Sequence, residues 1–302
     1  MHLAPVAAFV YNRPAHARRV FEALQRNSLA TESDLIVFAD GPGAMDAVAA
    51  VREVREYIRT LKGFKSIRFV ERDANAGLAR SIIDGVTDVC AEFGRVIVLE
   101  DDLVTSPWFL KYMNDGLDLY AEDDRVASIH GYRYPAKAVL PETFFLRGAD
   151  CWGWATWGRA WRHFEPDGGV LLERLESQGL EHEFDLGGAF GFTQMLRDQI
   201  ARRNDSWAVR WHASCFLDNR LTLYPGRSLV ENIGNDASGT HRGNTSLYDA
   251  PVSDSPIDVT RIPLEPSDVG RAAFRRFLGG APQGALLRRV LARVARGLGL
   301  RS

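Results

Sequence analysis

Apolar residues follow two alternating rhythms over the first 130 positions of the 302-residue chain. Short runs rich in Val, Ile and Phe stand at Val6–Val10, Leu35–Phe38, Ile67–Val70, Val96–Leu99 and Val126–Ile129. Successive side chains of a strand point to opposite faces, so a run apolar at every position predicts a strand buried on both sides of a sheet. Between these runs, Val48, Val51, Val54, Ile58 and Leu61 recur at spacings of 3, 3, 4 and 3. That spacing puts them on one face of a helix, which Gly63 stops. A further helix is predicted from Pro14, whose fixed φ suits a first helical position. Strands alternating with helices predict βαβ units and therefore an α/β fold with a doubly wound, mostly parallel sheet.

Polar residues follow each strand. Val6–Val10 gives way to Tyr11-Asn12-Arg13, and Leu35–Phe38 to Ala39-Asp40-Gly41. Ile67–Val70 leads to Asp73, Asn75 and Gly77, and Val96–Leu99 to Glu100-Asp101-Asp102. Polar residues end most strands, so one such end means little. In open α/β sheets, however, ligands bind outside the carboxyl ends of the strands, and four such ends would converge on one crevice.

The rhythm changes after residue 130. Trp and Gly cluster in Cys151-Trp152-Gly153-Trp154-Ala155-Thr156-Trp157-Gly158. A helix is predicted over about 190–203, and the stretch from Asn232 through His241 is loop-like. No internal repeat is present. The organisation expected is one domain over 1–245, with a nucleotide-binding half to about 130 and an acceptor half over 131–245. An irregular segment and a tail over 246–302 follow. In that tail Leu286, Leu287, Val290, Leu291 and Val294 interleave with Arg288, Arg289, Arg293 and Arg296. A basic amphipathic helix over 283–302 can lie in a membrane interface. Packing on the domain, or fraying, is the competing reading, which Gly297 and Gly299 favour by limiting its length.

Composition narrows the picture. Hydrophobic residues make up 46% and charged residues 25%, an ordinary globular balance. A formal net charge of −2 gives no electrostatic footprint for nucleic acid. Three cysteines, Cys90, Cys151 and Cys215, are odd in number and widely spaced, which argues against a disulfide scaffold or a cysteine zinc site. A reducing cytoplasm fits. No secretory leader and no run of 18 apolar residues is seen.

Glu100-Asp101-Asp102 is the sharpest chemical signal. Adjacent carboxylates repel, and a divalent cation compensates them. Mg2+ and Mn2+ take oxygen ligands, often one or two protein carboxylates with phosphates and water completing the shell. A solvated acidic turn is the plainer explanation, and the position at a strand end weighs against it.

The stretch Val96-Ile97-Val98-Leu99-Glu100-Asp101-Asp102-Leu103 resembles the acidic metal-binding motif of GT-A glycosyltransferases. It is most similar to the branch holding N-acetylglucosaminyltransferase I and related bacterial family 2-like sugar transferases. The likeness runs from about Pro5 to His241. It implies Asp102 as ligand of Mn2+ or Mg2+, with Glu100 and Asp101 facing donor sugar and ribose. It also implies donor contacts at Tyr11, Asn12, Arg13, Asp40 and Asn75. Arg80 would face a phosphate or stand on the surface. Asp150, just before the Trp/Gly loop, takes the place of the family's catalytic base. The loop departs from the family's Phe/Pro/Gly run, which leaves Asp205 and Asp218 as competitors.

Trp152, Trp154 and Trp207 are expected partly in the core, with one or two lining the acceptor groove. Arg210 would pair with a phosphate or with an internal carboxylate. His241 would close over the diphosphate or ligate the metal, although a structural role is commoner for such a histidine. The function implied is inverting transfer from a nucleotide-sugar, with UDP-N-acetylglucosamine as leading donor, to a glycan or lipid-linked acceptor. A sugar-1-phosphate nucleotidyltransferase is the nearest rival, but Tyr11-Asn12-Arg13-Pro14 stands where such enzymes carry a Gly-rich basic loop. A non-catalytic carbohydrate-binding protein would need no acidic cluster.

Overall fold

A computed structural model of the chain describes residues 2–43, 45–236 and 245–280. Seven elements of the first hundred residues follow the apolar rhythm. They are β1 (Val6–Val10), α1 (Pro14–Gln25), β2 (Asp34–Ala39), α2 (Val48–Ile58), β3 (Ser66–Glu71), α3 (Leu78–Phe93) and β4 (Arg95–Glu100). A short β5 (Leu103–Thr105) precedes α4 (Phe109–Leu119) and β6 (Val126–His130). Every residue of β1 is buried, as a continuous apolar run in a doubly covered strand requires. Phe9 of β1 stacks on Phe38 of β2 at 4.8 Å between ring centroids, tying the two strands on one face.

The rest of the chain adds β7 (Thr143–Arg147), β8 (Trp154–Trp157), α5 (Gly158–Trp161), α6 (Gly168–Ser177), α7 (Glu181–Phe184), α8 (Phe192–Ile200), α9 (Trp207–Leu217), β9 (Leu221–Pro225), β10 (Val230–Asn232) and α10 (Asp268–Gly280). Eight strands form one sheet in the order β3-β2-β1-β4-β8-β6-β9-β7, and β5 pairs with β10 in a second, two-stranded sheet. The β3-β2-β1-β4 half is parallel throughout. β8 runs antiparallel to both β4 and β6, and β7 antiparallel to β9, while β6 and β9 are parallel. The fold is thus the expected α/β type with a mostly parallel sheet, and residues beyond 130 extend the same sheet.

Tryptophans fill the layer over β8. Trp154 stacks on Trp207 at 5.4 Å, and Trp211 lies 5.1 Å from Trp161 and 6.1 Å from Trp154. Replacing one such ring by Ala costs about 3–5 kcal/mol. One helix was not expected: α10 forms just after the irregular stretch rich in Pro, Asp and Ser, its Ala273, Phe274 and Leu278 buried. Residues 245–267 carry no helix or strand, as expected. Among the described residues no helix is long and apolar enough to cross a membrane. The tail over 283–302 and His241 lie outside the described residues.

Candidate active site

Strand register sets the site. Val10 stands opposite Ala39, and Phe9 opposite Glu100, so β1, β2 and β4 end side by side. Tyr11-Asn12-Arg13, Asp40 and Glu100-Asp101-Asp102 therefore leave the same sheet edge together. Arg13 binds Asp101 through Nη2, and the same nitrogen lies 2.9 Å from Asp102 Oδ2. Asp101 is buried, and the other two side chains are only partly accessible.

The electrostatics follow from that packing. Burial pushes the Glu100 carboxyl up to about 8, and the Asp102 and Asp101 carboxylates add to it while Arg13 pulls the other way. Asp101 is also raised, by burial first, with Arg13 opposing. Burial alone would disfavour the Arg13 guanidinium's charge, but the two aspartates more than offset it and raise its pKa. One cation thus faces three carboxyl groups.

Asp40 anchors a loop. Its Oδ1 accepts from the N–H of Gly41 and of Ala76, both at 2.9 Å. Its Oδ2 accepts from the Gly77 N–H and the Asn75 amide, both at 3.0 Å. Asn75 also donates to the Gly41 carbonyl at 3.1 Å. A Cβ at Gly41 would sit 2.5 Å from the Ala74 carbonyl carbon, so only glycine lets the two loops close. Tyr11 joins the same wall, its hydroxyl accepting from Gly43 N at 3.1 Å. Asn12 beside it is half-buried.

Asp150 reaches this edge from the other half of the sheet. Trp154 pairs with Val98 of β4 and with His130 of β6, so the chain entering β8 passes the end of β4. Asp150 Oδ2 accepts from the Tyr134 hydroxyl at 3.1 Å, and Oδ1 from the Cys151 N–H at 2.8 Å. His130 Nε2 lies 3.7 Å from Oδ2, on a fully buried ring. Burial pushes the His130 pKa down, against the pull of Asp150. The Cys151 thiol is pushed up by burial, then by the charges of Asp150, Glu100 and Asp102, which share its surroundings.

Other expected residues stand elsewhere. Asp218 is held by Arg174 at 2.8 Å and His163 at 3.2 Å. It precedes β9, whose Leu221 is level with Val126 at the start of β6, so it lies at the opposite edge of the sheet. Asp205 is exposed at the start of α9 and pairs with Arg210 at 3.2 Å. Arg210 is buried and also donates to the Pro166 and Ser206 carbonyls, so the carboxylate it pairs with is the exposed Asp205. Arg80 is a surface arginine, 73% exposed and 3.5 Å from Asp84, in a cleft shared with Asp205 and Arg210. Trp154 and Trp207 are core residues and line no groove. Trp152 is half-buried, against Tyr132 at 4.7 Å and Tyr248 at 5.6 Å.

Four site residues carried no sequence signal that singled them out. Tyr134 and His130 contact Asp150 as above. Gly234 lies so close to Asp102 that a Cβ there would come within 2.2 Å of Oδ2. His16 of α1 lies 3.3 Å from the Ile233 carbonyl and 3.2 Å from Asp236, bracing the same loop. The Asn-Ile-Gly-Asn run hinted at a turn, but not at which residue it would meet.

Among the described residues no three His, Cys, Asp or Glu side chains converge as a complete metal-ligand set. The acidic cluster still suits a hard divalent cation. It offers oxygen ligands only, and Asp101 and Asp102 already share a cation in Arg13. One or two such carboxylates suffice where phosphates complete the shell.

No family model and no curated protein matches the chain. Among solved structures, it is similar to a mannosyltransferase, PcManGT from Pyrobaculum calidifontis, in complex with GDP-Man and Mn2+. Identity is 12%, the TM-score is 0.42, and the match covers 100% of this chain and 77% of that one. It is also similar to S. aureus TarS, at 11% identity and a TM-score of 0.31, over 49% of this chain and 25% of that one. Similarity this loose says nothing of activity, donor or acceptor.

Proposed function

We propose that the chain is a metal-dependent, inverting glycosyltransferase that uses a nucleotide-sugar donor. The single observation that carries this reading is the convergence of Arg13, Asp40 and Glu100-Asp101-Asp102 at the carboxyl ends of three adjacent parallel strands. That is where open α/β sheets bind nucleotides. The Tyr11–Arg13 and Asp40–Gly77 walls hold the nucleoside, and Asp102 with the donor's phosphates holds Mn2+ or Mg2+. The bound ion supplies Lewis-acid stabilisation of the departing diphosphate. Arg13 lies where its guanidinium can pass from the aspartates to a phosphate oxygen. Asp150 accepts the proton of the acceptor hydroxyl as it attacks. Tyr134 fixes the carboxylate's orientation, and Trp152 offers a ring face to the sugar. A single base and a single displacement invert the anomeric centre. UDP-N-acetylglucosamine is the leading donor, on the motif's resemblance.

Ligand binding stabilises only the state that binds. UDP with Mn2+ should therefore raise the thermal midpoint by several degrees, and UDP with a chelator should not. If UDP and GDP both leave the midpoint unmoved at saturating Mn2+, the nucleotide reading fails.

A further inference from the structure

Away from the crevice, a hollow of about 480 Å³ lies between the link after α7 and the exposed face of α10. Gly187, Gly188 and Ala189 line one side, and Arg275, Arg276 and Gly279 the other. No carboxylate lines it. Both arginines are exposed, and among the described residues neither has an ion-pair partner. Arg275 donates only a long 3.5 Å bond to the Gly187 carbonyl. Two adjacent guanidinium groups facing a concave surface repel each other and leave most of their donors to solvent.

The opposite wall adds more donors. Leu186, Gly187 and Gly188 have φ of +52°, +69° and +79°. Three successive left-handed residues are a costly arrangement for a chain that includes Leu. The Gly187 N–H is taken by the His182 carbonyl and that of Phe190 by Asp185. Those of Gly188 and Ala189, between them, donate to no acceptor among the described residues. The hollow is therefore lined by two guanidinium groups and by two residues whose amide N–H groups have no acceptor among the described residues, and none of those residues places an acid there. That donor set matches a tetrahedral oxyanion with several acceptor oxygens. The hollow is open to solvent and leaves room for a phosphate ester or diphosphate.

Its place in the fold separates it from the donor. Phe274 and Phe277 of α10 pack on Tyr134 at 4.9 and 5.6 Å, and Tyr134 holds Asp150. α10 rests on β7, the edge strand farthest from β1 and β2. We propose that this hollow is a phosphate-binding subsite, and that it receives the phosphate of a phosphorylated acceptor. The phosphate site stands on its own geometry, and its assignment to the acceptor rests on the transferase reading above.

The test uses the full chain, free of divalent metal, titrated with inorganic pyrophosphate and followed by amide NMR. The Gly188 and Ala189 resonances should shift and saturate. The double variant Arg275→Gln/Arg276→Gln should weaken that binding about tenfold or more, since each charge-assisted bond is individually strong. Arg276→Gln alone, which leaves the Arg275–Gly187 bond in place, should weaken it by a smaller factor and guards against a merely displaced loop. Phosphatidylcholine vesicles with and without phosphatidic acid separate the sources. Arginine-dependent recruitment to phosphatidic acid marks a lipid headgroup, and pyrophosphate binding without recruitment marks a soluble ester. Unmoved Gly188 and Ala189 amides, or equal affinity in the double variant, overturn the site. Because this binding needs neither donor nor metal, its failure is distinct from a failure of UDP and Mn2+ to protect the fold.

Discussion

The two halves of the sheet hold their carboxylates in opposite ways. In the parallel half, charge meets charge or a backbone donor: Asp101 and Asp102 share Arg13, and Asp40 takes four N–H bonds. In the antiparallel half, Asp150 is set among rings. Tyr134 and His130 touch it, and Tyr132 and Tyr224 lie near enough for its charge to raise their pKa values behind the larger effect of burial. One half pairs its carboxylates with a guanidinium and with amide donors. The other sets one carboxylate among aromatic rings, with the Tyr134 hydroxyl and the Cys151 N–H as its donors. An edge built from strand ends gathers ionic groups, and an edge built from a crossing loop gathers aromatic ones.

The contrast can be broken at its strongest point. Asp102→Asn keeps the shape of the metal-facing residue and removes its charge. Transfer should fall by several orders of magnitude with the fold intact, because loss of a metal's charge stabilisation is worth several kcal/mol. Near-normal turnover at saturating Mn2+ would show that the parallel half does not hold the ion through this residue.

Asp150→Asn tests the other half and should lower kcat by about 10²–10⁴-fold. Nucleotide affinity, measured by the same thermal shift, should stay the same. Loss of UDP binding as severe as the loss of rate would make Asp150 a structural or donor-binding residue instead.

Arg13→Met sharpens the electrostatic side. It leaves three carboxyl groups without their cation, and removing one partner of a largely buried pair costs about 3–5 kcal/mol. Urea unfolding should show that loss in metal-free protein and partial recovery with Mn2+. Equal stability of variant and parent without metal would mean that the ion pair contributes little.

The smallest effect belongs to His212, under the Asp150 loop. Its Nδ1 lies 3.1 Å from Ala149 N and 2.8 Å from Ala149 O, and burial lowers its pKa to about 4. An unfolded histidine titrates near 6.5, so the folded state binds this proton less readily. The stabilisation is therefore fully present above about pH 6.5 and is lost as pH falls toward 4. His212→Gln should cost about 1–3 kcal/mol at pH 7 and much less at pH 4.5. A difference that does not change with pH would show that the ring titrates alike in the folded and unfolded states.

Legibility divides along the same line. The runs predicting β1, β2, β3, β4 and β6 fall inside the observed strands; β1, β2 and β4 are apolar along their runs because they are covered on both faces, whereas β3 at the sheet edge carries Arg68 and is only half-buried. Register then brought Arg13, Asp40 and Glu100–Asp102 to one edge, a step that strand order alone anticipates. Nothing comparable could be read for Tyr134, His130 or Gly234. Their contacts depend on where a crossing loop lands, and a tyrosine in a core looks like one beside a carboxylate. Which tryptophans fill the core could not be read either, since tryptophan suits both sugar stacking and core packing, and Trp154 and Trp207 are buried. Helix α10 was hidden by flanking Pro, Asp and Ser, although Ala273, Phe274 and Leu278 carry a helical spacing.

The clamp around Asp40 has a consequence for how this crevice can change. Three of its four bonds come from backbone N–H groups, of Gly41, Ala76 and Gly77, and only Asn75 contributes a side chain. The loop's shape is therefore largely indifferent to what Ala74 and Ala76 carry beyond their Cβ atoms. Mutation at these two places can change the face the crevice presents while the wall behind it keeps its form. In such a protein, the surface of a site can drift without first unmaking its frame.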